Sequence, residues 1–230
     1  MKAIIFGASG GLATALANGL LARAWQIDLV SRAHKSGAVQ QRFSAAIKDG
    51  KVNLFTVQQA YPEFEPSQPY DAYFFTQALS SPRPLVVMDE AAIEAEISVG
   101  LTGQIALTRK LLVMYPPLPE TRRNFCYSGS SSAYAGFKNN TVYCAVKHGL
   151  LGFVRAMNDE YVQTDTRFWL FSMGTMNTEM GATVVEQDPA SFLNPEDVAE
   201  RMIASVTSSS NLFEPEVIMR RRTIRFRDKK

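Results

Sequence analysis

Tyr143 and Lys147 stand four residues apart in VYCAVKHGLLGFVRAM, a stretch that reads as helix. That spacing puts both side chains on one helical face. A phenol with a pKa near 10 is a poor acid–base catalyst at neutral pH. A neighbouring ammonium stabilises the phenolate and lowers that pKa. The pair can then pass a proton to or from an alcohol or carbonyl oxygen. Ser130 lies thirteen residues earlier, in the run SGSSS (128–132). From the end of a strand its hydroxyl can reach the same oxygen, although a serine run also makes a plain turn. Tyr134 and Lys138 share the four-residue spacing, but Gly136, Asn139 and Asn140 mark that stretch as loop.

A second chemistry lies near the amino terminus. FGASGGLA spaces Gly7, Gly11 and Ala13 as G-x-x-x-G-x-A, with Ser9, Gly10 and Leu12 between them. Small residues let the backbone turn tightly and approach a pyrophosphate, and a helix N-terminus offers it unpaired N–H groups. A lone glycine cluster is often only a turn, but this one joins the first strand to the first helix. At the end of the second strand an acid would hold the ribose 2′-OH of NAD, and an arginine the 2′-phosphate of NADP. That end reads Ser31-Arg32, followed by His34 and Lys35. Asp28 is the competing acid, but it lies near the strand's start. Arg32, unless it is an ordinary surface arginine, selects NADP over NAD.

These groups need a frame, and the sequence alternates short apolar runs with helical stretches. Strands are expected at 3–8, 27–32, 52–57, 71–78, 124–129 and 167–174, with EVIMRRR closing the sheet as a seventh. Helices are expected at 11–25, 89–114, 142–162 and 194–206. The second of these contains the pair Ile93 and Ile97, and the last is opened by Asn194-Pro195. Such alternation predicts an α/β fold, a doubly wound parallel sheet with helices on both faces and ligands at the carboxyl ends of its strands. Residues 58–70 carry Pro62, Pro66 and Pro69 and should be mostly loop.

Composition narrows the class. The chain has 230 residues, 46% hydrophobic and 20% charged, which suits one globular domain over 1–230 rather than a disordered chain. No apolar run approaches the roughly 20 residues of a membrane helix, and MKAIIFGASG lacks the pattern of a signal peptide. Two cysteines, Cys126 and Cys144, and two histidines, His34 and His148, predict neither a disulfide framework nor a metal site. A cytoplasmic protein is the expectation. The net charge of +2 hides a tail, RRRTIRFRDKK (220–230), with seven basic residues and one acid. Ile224 and Phe226 alternate there with Arg225 and Arg227, which predicts a half-buried terminal strand. No recognition motif for nucleic acid accompanies the arginines.

Taken together, these motifs resemble the short-chain dehydrogenase/reductase family, over nearly the whole chain. GASGGLA is similar to its glycine motif, Ser130 to its catalytic serine, and Tyr143-x-x-x-Lys147 to its signature pair. MGTMNT (173–178) resembles its P-G-x-x-x-T segment, keeping Gly174 and Thr178 and replacing proline with Met173. The resemblance implies a Rossmann-type sheet of about seven strands in three α/β/α layers. It implies that Tyr143 donates a proton to the substrate oxygen, that Ser130 polarises it, and that Lys147 lowers the phenol pKa and holds the nicotinamide ribose. Thr178 would contact the carboxamide. The family's N-N-A-G strand end falls on Phe75-Thr76-Gln77-Ala78, which places Thr76 and Gln77 against the cofactor. Gly100 falls where a catalytic asparagine usually kinks its helix and anchors a water, and a water at the glycine could substitute. Gln58 or Gln59 replaces the acid that contacts adenine, and the helix between the third and fourth strands is largely lost. Homodimers or homotetramers are implied through 89–114 and 142–162, with Leu107, Leu111, Leu150 and Phe153 on their outer faces.

The expected activity is an NADP-dependent interconversion of a small carbonyl compound and its alcohol. A non-catalytic NADP(H)-binding sensor is the alternative, because Gly100 leaves the proton relay incomplete. Substrate choice should lie in 179–194, where Met180, Val184, Val185 and Phe192 offer apolar contacts. Glu179, Glu186 and Asp188 disfavour a strongly anionic substrate.

Overall fold

The computed structural model describes residues 1–58 and 61–227. Gln59, one of the two candidates for the adenine contact, and 228–230 of the basic tail lie outside them. Seven strands form one sheet: β1 (Lys2–Phe6), β2 (Gln26–Arg32), β3 (Val52–Val57), β4 (Ala72–Phe75), β5 (Arg123–Ser128), β6 (Thr166–Met173) and β7 (Glu216–Met219). Their order is β3-β2-β1-β4-β5-β6-β7 and every pairing is parallel. The chain winds outward from β1 to β3, then returns to β4 on the other side of β1. The carboxyl edge between β1 and β4 is therefore a switch point, the usual ligand crevice of such sheets.

The central strands are apolar on both faces because helices cover both. Ala3–Phe6 and Ala72–Phe75 are completely buried. On one face Ala3, Ile5, Ile27, Phe74 and Phe171 pack against α1 (Gly11–Leu21) and α7 (Pro195–Thr207). On the other, Ile4, Phe6, Tyr73, Phe125 and Phe168 pack against α5 (Gly103–Met114) and α6 (Thr141–Glu160). Stacked rings run across that second face, from Tyr73 to Phe125 at 4.5 Å and on to Phe168 at 5.0 Å. Asn194 starts α7 as expected, accepting from the Glu196 N–H at 2.9 Å with Pro195 in the first turn.

Several expectations need correction. The helices α2 (Ala33–Arg42) and α3 (Ser44–Lys48) were not anticipated, because α2 buries only Val39 and α3 buries nothing, so neither has an apolar stripe to read. The stretch 89–114 is α4 (Glu90–Ile97), one wide π turn (Ser98–Thr102), and α5. Between β3 and β4, as expected, the helix is lost: the described residues there form a 3-10 turn (Tyr61–Glu63), and the Tyr61 and Phe64 rings pack edge-on against Phe6. β7 stops at Met219, and Ile224 and Phe226 are 54% and 67% exposed, so the tail is not a half-buried strand. Leu107, Leu111 and Leu150 are at most 1% exposed, and Phe153 packs against their cluster. They hold the helices to the sheet and offer no outer face for assembly. No helix among the described residues is long and apolar enough to cross a membrane.

Candidate active site

The glycine run turns directly out of β1. Gly7 has φ +86°, and a Cβ there would stand 2.8 Å from the Gln77 backbone nitrogen, so this position needs glycine twice over. Its N–H donates to Val30 O at 3.1 Å, and its carbonyl accepts from Gly10 N at 3.1 Å. Gly10 caps α1 without any side-chain bond, and no acid lies in the first turn. Gly10 and Gly11 are exposed, Ser9 is half-buried, and Leu12 anchors the helix in the core. The amide groups of this helix start therefore face the crevice uncapped, which suits an anion.

Neighbouring segments close on this cradle. Thr76 Oγ1 donates to Phe6 O at 2.7 Å, tying the end of β4 to β1. Gln77 is buried with both side-chain amide atoms unpartnered. Such a group is costly unless a ligand completes it. A Cβ on Gly11 would stand 2.7 Å from Thr178 Cγ2, so the segment after β6 reaches the cradle. Thr178 Oγ1 accepts from Gly181 N at 3.1 Å, and Gly174 lies at the base of that segment. Ser31 is buried and Arg32 half-buried at the carboxyl end of β2, where Arg32 also begins α2 without a side-chain cap. Asp28 is removed from competition. It is buried toward the amino ends of the strands, accepting from Tyr70 Oη at 2.5 Å and Asn53 Nδ2 at 2.8 Å. Uncapped amides, an orphaned amide side chain and a cation at the β2 end fit a dinucleotide.

The catalytic candidates meet at the end of β5. Ser130 starts a short 3-10 turn, its Oγ accepting from Ser132 N at 3.1 Å. Tyr143 and Lys147 share a face of α6, with Lys147 Nζ 5.4 Å from the Tyr143 ring centre. The ammonium is 1% exposed and donates to Ser128 O at 2.7 Å. Burial pulls its pKa down to about 8. Burial also pushes the Tyr143 phenol up to about 12, against a hydrogen bond with Ser130 that pulls it down, with Cys144 and Glu96 adding to the rise. The phenol is thus protonated at neutral pH. The lowering expected from Lys147 is overturned: burial dominates, and the ammonium is not among the causes of the shift. The other pair dissolves: Tyr134 Oη is bound to Glu216 Oε2 at 2.9 Å and Lys138 is exposed in a loop. Among the described residues no three His, Cys, Asp or Glu side chains form a metal-binding group.

Two features near the tyrosine were not read from the sequence. A Cβ on Gly100 would stand 2.6 Å from Val146 Cγ1, so the valine side chain takes the space left for a substitute water. The α-helical run is interrupted there by the π turn, with glycine rather than asparagine at the position. Glu96 is 3% exposed and accepts from Ser81 N at 2.5 Å, whereas Ile97 is 37% exposed. The Ile93–Ile97 pair hid this, because it suggested an apolar buried face where α4 in fact turns a carboxylate inward.

Three comparisons place the chain among known proteins. A family model described as short chain dehydrogenase matches residues 75–189. No curated protein matches. Among solved structures, ElxO with NADP bound superposes with a TM-score of 0.81 at 14% identity, covering 95% of this chain and 96% of that one. A short-chain dehydrogenase/reductase from Vibrio parahaemolyticus gives 0.78 at 20%, covering 95% and 99%. An alcohol dehydrogenase from the archaeon Thermococcus sibiricus, complexed with 5-hydroxy-NADP, gives 0.79 at 18%, covering 94% of each. At these identities the structures speak for the fold, while the family model spans half of the sequence: the chain belongs to the short-chain dehydrogenase family.

Proposed function

We propose that this oxidoreductase interconverts a carbonyl compound and its alcohol with NADP(H), using Tyr143 as acid and base. When bound, the dinucleotide supplies or accepts the hydride. The observation that carries the reading is the meeting of Ser130, Tyr143 and Lys147 at the end of β5. In reduction, the protonated Tyr143 phenol gives its proton to the substrate oxygen while the Ser130 hydroxyl donates a hydrogen bond to that oxygen. Lys147 holds the developing phenolate electrostatically, and an ammonium with one donor on Ser128 O has two more for ribose hydroxyls. Gly7, Ser9, Gly10, Gly11 and Leu12 would hold the pyrophosphate, and Thr76, Gln77, Gly174 and Thr178 the nicotinamide half. Ser31 and Arg32 would take the 2′-phosphate, a preference supported by the absence of a free acid at the β2 end and by NADP in the relatives named above.

One observation favours a second reading, an NADP(H)-binding sensor: Val146 occupies the place through which a relay at Gly100 would run. Turnover separates the two. NADPH oxidation with a panel of ketones should proceed in the parent protein and fall by 10³-fold or more in Tyr143→Phe, while NADPH binding stays within a few-fold. NADPH binding without turnover of any ketone would establish the sensor instead.

A further inference from the structure

The acids of the 179–194 loop have basic neighbours. The basic tail folds back along them. Asp188 N donates to Arg225 O at 2.8 Å, Arg227 N to Glu186 O at 3.1 Å, and Phe226 bridges Gln187 antiparallel. Arg227 Nε also donates to Gln187 O at 3.2 Å. Backbone pairing therefore sets the basic residues Arg225 and Arg227 next to Glu186 and Asp188 along the chain, so the loop does not present acids alone.

Arg221 goes further. It follows β7 and crosses back over the end of β6, its Nε 3.6 Å from the place of a Cβ on Gly174. Its guanidinium lies over the Phe192 ring, 5.7 Å from the ring centre. Nη1 is shielded from solvent and has no hydrogen-bond partner. Burial alone pulls the group's pKa down, with no carboxylate contributing. A guanidinium stays charged and presents a fork of donors that matches a carboxylate. An amino edge kept dry and unpaired is costly unless something completes it.

The position suits a substrate. β7 pairs with β6, and β6 with β5, whose end leads to Ser130. With strands about 4.8 Å apart, the ends of β7 and β5 are about 10 Å apart, and the guanidinium already spans part of that distance over Gly174. We propose that Arg221 anchors a carboxylate of the substrate, so that the enzyme acts on oxo acids and hydroxy acids. This rests on the oxidoreductase reading above and replaces the neutral substrate expected from the loop acids. The carboxylate does not react. When bound, the reduced dinucleotide would supply the hydride for the new C–H bond, the carbonyl π pair would move to oxygen, and the Tyr143 proton would complete the alcohol.

The test uses the full chain with NADPH and three oxo acids, pyruvate, acetoacetate and levulinate, each beside its methyl ester. Rates of NADPH oxidation are measured, and in parallel the binding of each compound to the NADPH complex, from the change in NADPH fluorescence. At least one acid should surpass its ester by tenfold or more in kcat/KM or in affinity. Arg221→Ala should bring that ratio within threefold of unity, and Arg221→Lys should retain part of it. Arg221→Gln, which keeps a polar planar group over Gly174, serves if the alanine variant does not fold. Esters that match or surpass the acids throughout, a preference that survives in a folded Arg221 variant, or no binding of any acid would each overturn the proposal. If acids bind through Arg221 but NADPH is never oxidised, the carboxylate site stands and carbonyl reduction falls.

Discussion

Lys147 is an ammonium without solvent, held by one carbonyl on an apolar helix face. Its pKa of about 8, against 10.5 for the ordinary side chain, means the folded state prefers it neutral. The sign follows: below pH 8 the buried charge opposes folding, and between about 8 and 10.5 the unfolded chain binds more protons, so stability rises with pH. The shift corresponds to about 3 kcal/mol, less the hydrogen bond to Ser128 O, worth about 1 kcal/mol. Lys147→Met should therefore melt higher than the parent at pH 7, by roughly 4 °C or more, and lose that advantage by pH 10. The same variant should lose turnover, since residues placed for chemistry are often a cost to the fold. Differential melting at pH 7 and pH 10 checks the first claim, and equal melting curves at both would refute it. Catalysis carries the matching signature. Tyr143 stays protonated across the assay range while Lys147 discharges above about pH 8. The kcat/KM for reduction should be flat below pH 7 and fall about tenfold per pH unit well above 8.

At the scale of elements, the π turn between α4 and α5 packs on α6 through a glycine on one side and a valine on the other. Gly100 is buried and its missing Cβ makes room for Val146, one turn along α6 from Tyr143. Gly100→Ala should thus press α5 away from α6 and cost about 1–3 kcal/mol. Adding Val146→Ala should recover most of that loss, which a double-mutant cycle by denaturant unfolding would register as coupling of about 1 kcal/mol or more. Additive effects would mean that the two positions do not share the space. This pair also shows where the sequence is legible. Strands β1, β4 and β5 announce themselves because both faces are covered and their central residues, Ala3–Phe6, Ala72–Phe75 and Phe125–Tyr127, are buried apolar or aromatic side chains. The Tyr143–Lys147 spacing survives because a helix converts sequence distance into a face. The helices α2 and α3 do not announce themselves, since AHKSGAVQQR packs by a single valine. Glu96 and Arg221 are hidden for a related reason: their roles depend on burial created by other segments, the β4 loop in one case and Phe192 in the other. Spacing along one element cannot encode such contacts.

For the molecule as a whole, the carboxyl edge of the sheet is left incomplete by the protein alone. The α1 start has no cap, the Gln77 amide has no partner, and the Thr178 segment leans on Gly11 from the far side of the crevice. A ligand that satisfies all three ties β1, β4 and β6 together, and it binds the folded state only. Linkage then converts affinity into stability: at a hundred times its dissociation constant a ligand contributes about 2.7 kcal/mol. For a chain of this length that is a rise in Tm of roughly 5–10 °C. NADP should produce it, and NAD at the same concentration should produce clearly less, because only NADP brings a phosphate to Arg32 and the uncapped start of α2. Arg32→Ala should reduce the NADP shift to that of NAD while leaving the Tm of the protein without nucleotide within about 2 °C, since a half-exposed arginine adds little to the fold. Scanning calorimetry of both proteins with each nucleotide separates the outcomes. Equal shifts from NADP and NAD in the parent would move the choice of cofactor away from Arg32, and no shift from either would mean that the open edge holds no dinucleotide.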